Sequence, residues 1–572
     1  GLRLDGESKV QLIKDHYEIL TAKRRENYYR GNRKVFHLET ADGKKMDIIF
    51  QVSNDGVAFR YYFPETNSTV HQLTAEASSY HFLPGTHAWL QPMQKARSGW
   101  KQATPAYEEL YDKDISVGTR SDYGAGWVYP GLFRSGDTWL LVSESSLPRN
   151  YCGTHLGDPS ADGEYTVAFP DPAEKMGEKI VDPQSTLPWL TPWRFVAVGS
   201  LKTIVESTLG TDLADPAKFH SSVKPGKASW SWPLMGDANT TYDVQKRFID
   251  YASRMHWRYC LIDALWDQQI GYDKVAELVK YAKTKDVKIL VWYNSAGDWN
   301  TVPFTPRDKL LTHASRIAEF DKLKKMGVAG LKIDFFGGDG QSMIDYYQDI
   351  LEDARPYGFA MNFHGATLPR GWERTYPNLM TMEAIRGLEY MTFEQKNADQ
   401  EPTHAPMLPF TRNIFDPMDF TPMALYRIND HVQRRTTSAF ELALSVLFVS
   451  GIQHYAETPE GMAKAPDYVQ DYLKHVPSIW DDTKFLDGFP GKYVVLARKG
   501  DGKWFIAGIN GEETPKPLVL DLEELHGGRS GTLITDGGSD SLSFRREKIH
   551  LDSSRKLDVT LQPHGGFVLV LD

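Results

Sequence analysis

Seven polar residues stand at or just past the ends of short apolar segments. They are Asp263, Asp267, Asn294, Asp334, His364, Glu383 and Glu389. A carboxylate that closes an apolar strand has no cheap structural role, because burying it unpaired is strongly unfavourable. A helix cap or an ion-pair partner explains a single such residue equally well. A succession of acids and a histidine at successive strand ends is not explained that way. Two carboxylates facing one substrate, with aromatic rings nearby, are what glycoside hydrolysis requires. One acts on the anomeric carbon and the other protonates the departing oxygen. Asp334, in Lys332-Ile-Asp-Phe-Phe-Gly-Gly-Asp339, is the candidate nucleophile. The glycines separate it from the next helix and weaken its reading as a cap, for which Asp339 and Gln341 are better placed. Glu389 is the candidate acid/base; an exposed loop acid is the bland alternative.

Such residues need a scaffold that gathers strand ends. From about Pro216 onward apolar strands alternate with helices. Segments 228–232, 258–263, 288–293, 330–334, 359–363 and 379–383 read as strands. Val275, Leu278, Val279 and Ala282 recur at helical spacing between the second and third of these. Ile317, Phe320 and Leu323 form the next apolar stripe, and Met343, Tyr347, Ile350, Leu351 and Ala354 the one after. Strand-then-helix repeated over roughly 265 residues has the size and rhythm of a (β/α)8 barrel. Active sites of that fold lie at the C-terminal strand ends. An open doubly wound sheet is the alternative, but no Gly-x-Gly-x-x-Gly turn follows any of the strands. The first ~215 residues carry short strands such as 56–63 and 138–143, with hairpin punctuation at Asp42-Gly43 and Asn54-Asp-Gly56, and predict a large β-sandwich. Strands return after Phe485 as a small C-terminal β-sandwich. The expected domains are 1–215, 216–484 and 485–572.

Composition narrows the function further. Sixty-five Lys and Arg against 75 Asp and Glu leave a net charge of −10, which argues against a dedicated nucleic-acid binder or a polybasic membrane-surface protein. With 15 Trp and 28 Tyr the chain is rich in rings able to stack on sugars, although most rings fill cores. Cys152 and Cys260 cannot make a disulfide framework, no Cys-x-x-Cys zinc pattern exists, and both are expected to be buried free thiols. No apolar run reaches the roughly 18 residues of a membrane span.

The stretch Arg374-Thr-Tyr-Pro-Asn-Leu-Met-Thr-Met-Glu-Ala-Ile-Arg-Gly-Leu-Glu-Tyr390 resembles the signature of glycoside hydrolase family 97. Lys332-Ile-Asp-Phe-Phe336, Asn362-Phe-His364 and Asp416-Pro-Met-Asp-Phe-Thr-Pro422 resemble it as well, and the likeness extends to the three-domain layout. It implies calcium-dependent, exo-acting α-glycosidases in an inverting and a retaining branch. The inverting branch carries a glutamate after the fifth-strand histidine and another after the third strand. Here Gly365 follows His364, and Trp292-Tyr-Asn-Ser-Ala-Gly297 holds no acid. The retaining branch, which includes α-galactosidases, uses an aspartate at the end of the fourth strand, and Asp334 fills that position.

The resemblance further implies Glu389 as acid/base and Glu383 as a Ca²⁺ ligand, with Glu389 also on the metal. A third ligand comes from Tyr107-Glu-Glu-Leu-Tyr111, with Glu108 preferred and Glu109 the fallback. Oxygen ligands of this kind suit Ca²⁺. His364 and Asn294 are expected to hold sugar hydroxyls, with Asp263, Asp267 and Arg386 as further candidates. One of Trp230 and Trp232 is expected to stack on the sugar and the other to pack in the core. The expected substrate is a terminal α-galactoside of an oligosaccharide or glycoside. β-L-Arabinopyranose, which shares the ring stereochemistry and lacks the C6 group, is the alternative, and an α-glucosidase is disfavoured. A non-catalytic carbohydrate-binding protein on the same scaffold need not keep both Asp334 and Glu389. The family resemblance suggests a periplasmic or exported bacterial protein, and the missing initial Met is compatible with a trimmed leader. Oligomeric state is not legible in the sequence.

Overall fold

The computed structural model describes residues 1–538 and 542–572. Its N-terminal part is an antiparallel assembly of fourteen strands between Leu2 and Gly199. Strand Glu26–Thr40 shows why: its first half alternates exposed and buried residues, as a strand with one covered face must. Ser53 pairs with Gly56 across Asn54-Asp55, and Glu39 pairs with Lys45 across the turn at Asp42-Gly43, so both hairpins form where the turn residues place them.

Seven parallel strands then form the barrel: β1 (Gly226–Trp230), β2 (Tyr259–Ile262), β3 (Lys288–Asn294), β4 (Gly330–Asp334), β5 (Ala360–Phe363), β6 (Leu379–Met382) and β7 (Ile452–Tyr455). They pair in the order β6-β5-β4-β3-β2-β1-β7. The gap between β6 and β7 is bridged by a single parallel pairing of Met382 with Met418, and Met418 N donates to Val449 O at 2.9 Å. Segment 416–422 therefore takes the place of one barrel strand. Its two prolines, Pro417 and Pro422, lack the N–H groups a full ladder would need.

Alternation sorts the strand residues into two cores. Ala228, Trp230, Tyr259, Leu261, Leu290, Ala360, Met380 and Ile452 pack together inside the barrel. Their neighbours Cys260, Ile262, Ile289, Val291, Leu331, Ile333, Met361 and Phe363 face the surrounding helices. The helix stripes end in that outer core: Val275, Leu278 and Ala282 on helix Tyr272–Thr284, and Met343, Tyr347, Ile350 and Leu351 on helix Gln341–Ala354, are fully buried. On helix His313–Met326, Phe320 and Leu323 are buried while Ile317 is only half-buried. Cys152 and Cys260 are buried free thiols.

From Asp482 a six-stranded antiparallel sheet faces a two-stranded one, Lys516–Asp521 with Lys556–Leu561, around a core that includes Ile506, Leu520, Phe567 and Leu569. The N-terminal part and the barrel are tied by a buried chain of charges. Arg194 pairs with Glu76 at 2.7 Å and with Glu144 at 2.5 Å; Arg370, after β5, pairs with the same Glu144 at 2.5 Å and with Asp339 at 3.2 Å. Asp339 is thus an interdomain ion-pair partner, and Gly340 is the residue that caps helix Gln341–Ala354. Among the described residues no helix is long and apolar enough to cross a membrane.

Candidate active site

The inward-facing residues of β3 and β4 set the chemistry. Asp334 is the last residue of β4, and Lys332, two residues earlier, points the same way. Trp292 on β3 donates its Nε1–H to Asp334 Oδ2 at 3.1 Å. Lys332 Nζ lies 3.6 Å from the same oxygen, 3.5 Å from Asp263 Oδ2, and 3.9 Å from the centre of the Trp230 ring. Burial raises the Asp334 carboxyl above its ordinary value, with Lys332 and His364 working against it. Burial alone would lower Lys332, but Asp263, Glu389 and Asp334 hold its proton far above the usual range. Lys332 therefore stays charged and is the cation that makes two buried aspartates tolerable. Lys332→Met is expected to cost about 3–5 kcal/mol of stability, the usual consequence of stripping one partner from a buried ion pair. Urea denaturation measures it, and a loss under about 1 kcal/mol would deny Lys332 that role.

A second group meets at the ends of β5 and β6. Glu383 directly follows β6, and its Oε2 accepts the Gly365 N–H at 2.9 Å. Glu389 lies in the first turn of helix Leu388–Phe393. His364 Nδ1 sits 3.3 Å from Glu383 Oε2 and 3.4 Å from Glu389 Oε1, while its Nε2 is 2.7 Å from Asp419 Oδ2. Asp419 also meets His454 Nδ1 at 2.9 Å and Asn362 Nδ2 at 2.7 Å. Burial would lower the His364 pKa, but Glu383 and Asp419, one at each ring nitrogen, raise it well above normal. A carboxylate at each ring nitrogen thus favours the charged form of His364. Burial pushes Glu383 up, and His364 more than offsets this, leaving it below the ordinary range. Burial, reinforced by Glu383 and Asp334, pushes Glu389 up to about 8, so at neutral pH the protein groups favour its proton-carrying form.

Glu108 arrives from the N-terminal part. Gln91 Nε2 donates to the carbonyls of Tyr107 at 2.6 Å and Glu109 at 2.8 Å, and Arg386 Nε donates to Glu108 O at 2.8 Å. The Tyr390 hydroxyl donates to Glu108 Oε2. Burial and the neighbouring Glu383 raise Glu108 well above the ordinary value. Glu109 turns away and pairs with Arg386 at 2.7 Å and Gln94 at 2.6 Å. The geometry thus separates the two glutamates: Glu108 joins the acids.

Asp334, Glu389, Glu383, Glu108, Asp263 and Lys332 all line one cavity of about 520 Å³, with Trp100, Trp232, Trp292, Phe304, Phe335, Tyr390 and Phe393 as its aromatic walls and Asp237 and Glu394 adding charge. Seven acids and one lysine exclude anionic substrates and favour a neutral ligand together with a cation. Left-handed, non-glycine residues follow two of the site acids: Phe335 (φ 67°) after Asp334 and Ala384 (φ 44°) after Glu383. Backbone strain of this kind collects where a structure over-determines functional side chains. A larger cleft of about 1100 Å³ lies between the N- and C-terminal parts, but its charges pair among themselves, Lys202 with Glu524 at 2.7 Å and Arg24 with Asp482 at 2.9 Å.

Four sequence expectations need correction. Asn294 is fully buried and spends its amide on its own loop: Nδ2 donates to Val302 O at 3.4 Å and Phe304 O at 3.3 Å, and Oδ1 accepts from Ala296 N at 2.9 Å. It shapes the wall and does not face the cavity. His364 lies beneath the acids, clamped between carboxylates. Arg386 grips the 108–109 segment, lies 4.8 Å from the centre of the Tyr390 ring and is not among the residues that line the cavity. Asp267 accepts from Thr305 Oγ1 at 2.7 Å and is structural. Trp230 is core and Trp232 lines the cavity. Sequence reasoning missed Lys332, although its spacing of two from Asp334 on a strand put it on the same face. It also missed Asp419, whose segment has no strand-like periodicity.

The carboxylates of Glu108, Glu383 and Glu389 fit a hard divalent cation. They are an all-oxygen set, and Glu389 Oε1 is buried and makes no hydrogen bond, its one polar neighbour being the ion-pair contact to His364 Nδ1 at 3.4 Å. Ligand-type atoms of His364, Glu383 and Glu389 lie within 4.8 Å of one another. Both ring nitrogens of His364 already meet carboxylates, which leaves the oxygen donors to the glutamates.

A parallel barrel with opposed acids in an aromatic cavity at its C-terminal strand ends defines a barrel glycoside hydrolase. Family models for the N-terminal part of glycosyl hydrolase 97, for glycoside hydrolase 97 itself and for its C-terminal, oligomerisation part match residues 2–216, 222–385 and 479–572. A Streptomyces bingchenggensis protein named a probable retaining α-galactosidase is 32% identical over 588 residues, covering 100% of this chain and 84% of its own. A retaining α-galactosidase of Bacteroides thetaiotaomicron is 26% identical, covering 95% and 85%. The crystal structure of a β-arabinopyranosidase superposes with a TM-score of 0.96 at 38% identity, covering 100% and 91%. The chain belongs to glycoside hydrolase family 97.

Proposed function

We propose that this hydrolase is an exo-acting, retaining enzyme that releases terminal α-galactosyl units by double displacement. One observation carries the reading: Asp334 and Glu389 end on one cavity, while the room for an inverting base at position 365 is already taken. Gly365 has φ 48°, and a Cβ there would meet Phe335 N at 2.7 Å and Asp334 Oδ1 at 3.0 Å. The names of the curated relatives agree with retention.

In the first step Asp334 attacks the anomeric carbon while Glu389 gives its proton to the glycosidic oxygen. Trp292 and Lys332 hold Oδ2, so the attack falls to Oδ1. In the second step Glu389 takes a proton from water, which displaces Asp334 and restores the starting configuration. Imidazolium His364, fixed by Asp419, keeps Glu389 and Glu383 in place. Asp263 and Trp232 are left to face the sugar. Glu108, Glu383 and Glu389 would hold Ca²⁺, whose chemistry is to offset the acids' mutual repulsion and fix the acid/base group.

A chelator is accordingly expected to lower activity at least tenfold, with recovery on adding calcium. Calcium should also raise the thermal midpoint, because a hundredfold excess over the dissociation constant adds about 2.7 kcal/mol of stability. A rate and a midpoint both indifferent to calcium would remove the metal from the proposal.

The likeness to a β-arabinopyranosidase structure favours a second reading, in which the pentose replaces galactose in the same subsite. A panel of nitrophenyl glycosides decides. Cleavage of the α-galactoside supports the first reading, preference for the β-L-arabinopyranoside the second, and cleavage of the α-glucoside alone would overturn both.

A further inference from the structure

Burial sorts the tryptophans and phenylalanines clearly. Among the described residues Trp100 is the one exposed tryptophan, at 56%, and Phe393 the one exposed phenylalanine, at 49%. Both line the catalytic cavity. They come from different parts of the chain: Trp100 from an N-terminal loop and Phe393 from the end of the helix that carries Glu389.

The Trp100 loop is built at a cost. Arg97, Lys101 and Gln102 have left-handed backbones (φ 53°, 51° and 60°), a conformation that side chains resist. The loop is nevertheless pinned. Arg97 donates to Asp298 O at 2.9 Å, Ala173 O at 3.1 Å and Lys175 O at 3.1 Å. Thr301 N donates to Lys101 O at 2.9 Å, and Ser98 N to Thr104 Oγ1 at 2.8 Å. The Trp100 ring leans on Phe304 at 6.0 Å and Phe335 at 5.9 Å, the residue after Asp334. Phe393 stands edge-on to Trp232 at 6.1 Å. A strained, rigid loop that holds an indole out of the core is not explained by packing, and two exposed rings bordering one active site mark a binding surface.

We infer that Trp100 and Phe393 form the leaving-group subsite, which takes the second sugar ring of an oligosaccharide by stacking on its apolar face. The deeper, acid-lined part of the cavity takes the sugar that is transferred. The neutral, amphipathic face of a pyranose suits exposed aromatic rings. This rests on the glycosidase reading above and extends it to the group that departs.

The test is the ratio of kcat/KM for a disaccharide to kcat/KM for the matching glycosyl fluoride, whose leaving group has no ring. The sugar is whichever glycoside the wild-type enzyme hydrolyses, so a wrong sugar assignment shows in the wild type and not in the ratio. Trp100→Ala is expected to lower that ratio fivefold or more, mainly through a higher KM for the disaccharide. Trp100→Phe should keep it within twofold of wild type, and Phe393→Ala should move it in the same direction as Trp100→Ala. A Trp100→Ala ratio changed by less than fivefold, or equal losses on both substrates, would overturn the assignment.

Discussion

Replacing Asp334 with glycine is expected to abolish turnover, with kcat/KM falling by at least about three orders of magnitude, a barrier increase of roughly 4 kcal/mol. Loss alone would not identify a nucleophile, because Asp334 also belongs to the Lys332 ion pairs. The decisive readout is the product formed with azide. Without the carboxylate, the cavity has room for a small anion on the face that Asp334 attacks, and Trp292 and Lys332 remain to hold it. Azide should therefore restore part of the rate on an activated α-galactoside and give the β-glycosyl azide. An unchanged rate, or an α-configured azide, would remove Asp334 from the covalent step.

Glu389→Ala carries the second large effect, and its stereochemistry is opposite. On an unactivated disaccharide the rate should fall about 10²–10⁴-fold, the range of a lost general acid. On a substrate with a good leaving group the first step needs little protonation, so the glycosyl-enzyme should form and then accumulate. Azide should attack it and yield the α-glycosyl azide. Calcium must be saturating in this assay, because Glu389 is also a proposed ligand. Equal losses on good and poor leaving groups would show that the residue is not the acid/base. The two variants thus form a pair: each predicts the anomer that the other excludes. The upward push on Glu389 from burial and from Glu383 and Asp334 is what lets it carry a proton near neutral pH.

Much of this site was legible because a strand has a period of two and a barrel gathers its strand ends. Apolar runs that finish in Asp263, Asp334 and Glu383 place those carboxylates at the mouth of the barrel before any coordinates exist, and all three line the cavity. Glu389 followed from a motif spacing, and its position in the same cavity fits that reading. Segment 416–422 reads as a motif but not as a barrel position, since its prolines erase strand periodicity and it bridges to β6 only through Met382 and Met418.

Local backbone geometry dictates the side of each strand on which a residue lies and the end at which it stands, and the periodicity of the chain reports both. It therefore determined the barrel, the flanking β-sheet parts and the acids at the mouth. The neighbour that each polar group meets is set by long-range packing instead. Asn294 stands at the right strand end, yet its own loop folds back and consumes its amide. His364 stands at the next but one, and Asp419 and Glu383, from other elements, turn it into a buried cation. Glu108 and Glu109 are adjacent and chemically identical; Arg386, distant in sequence, selects between them by holding one outward. Hydrogen-bond partners and burial depend on chain segments hundreds of residues apart, and periodicity carries no information about them.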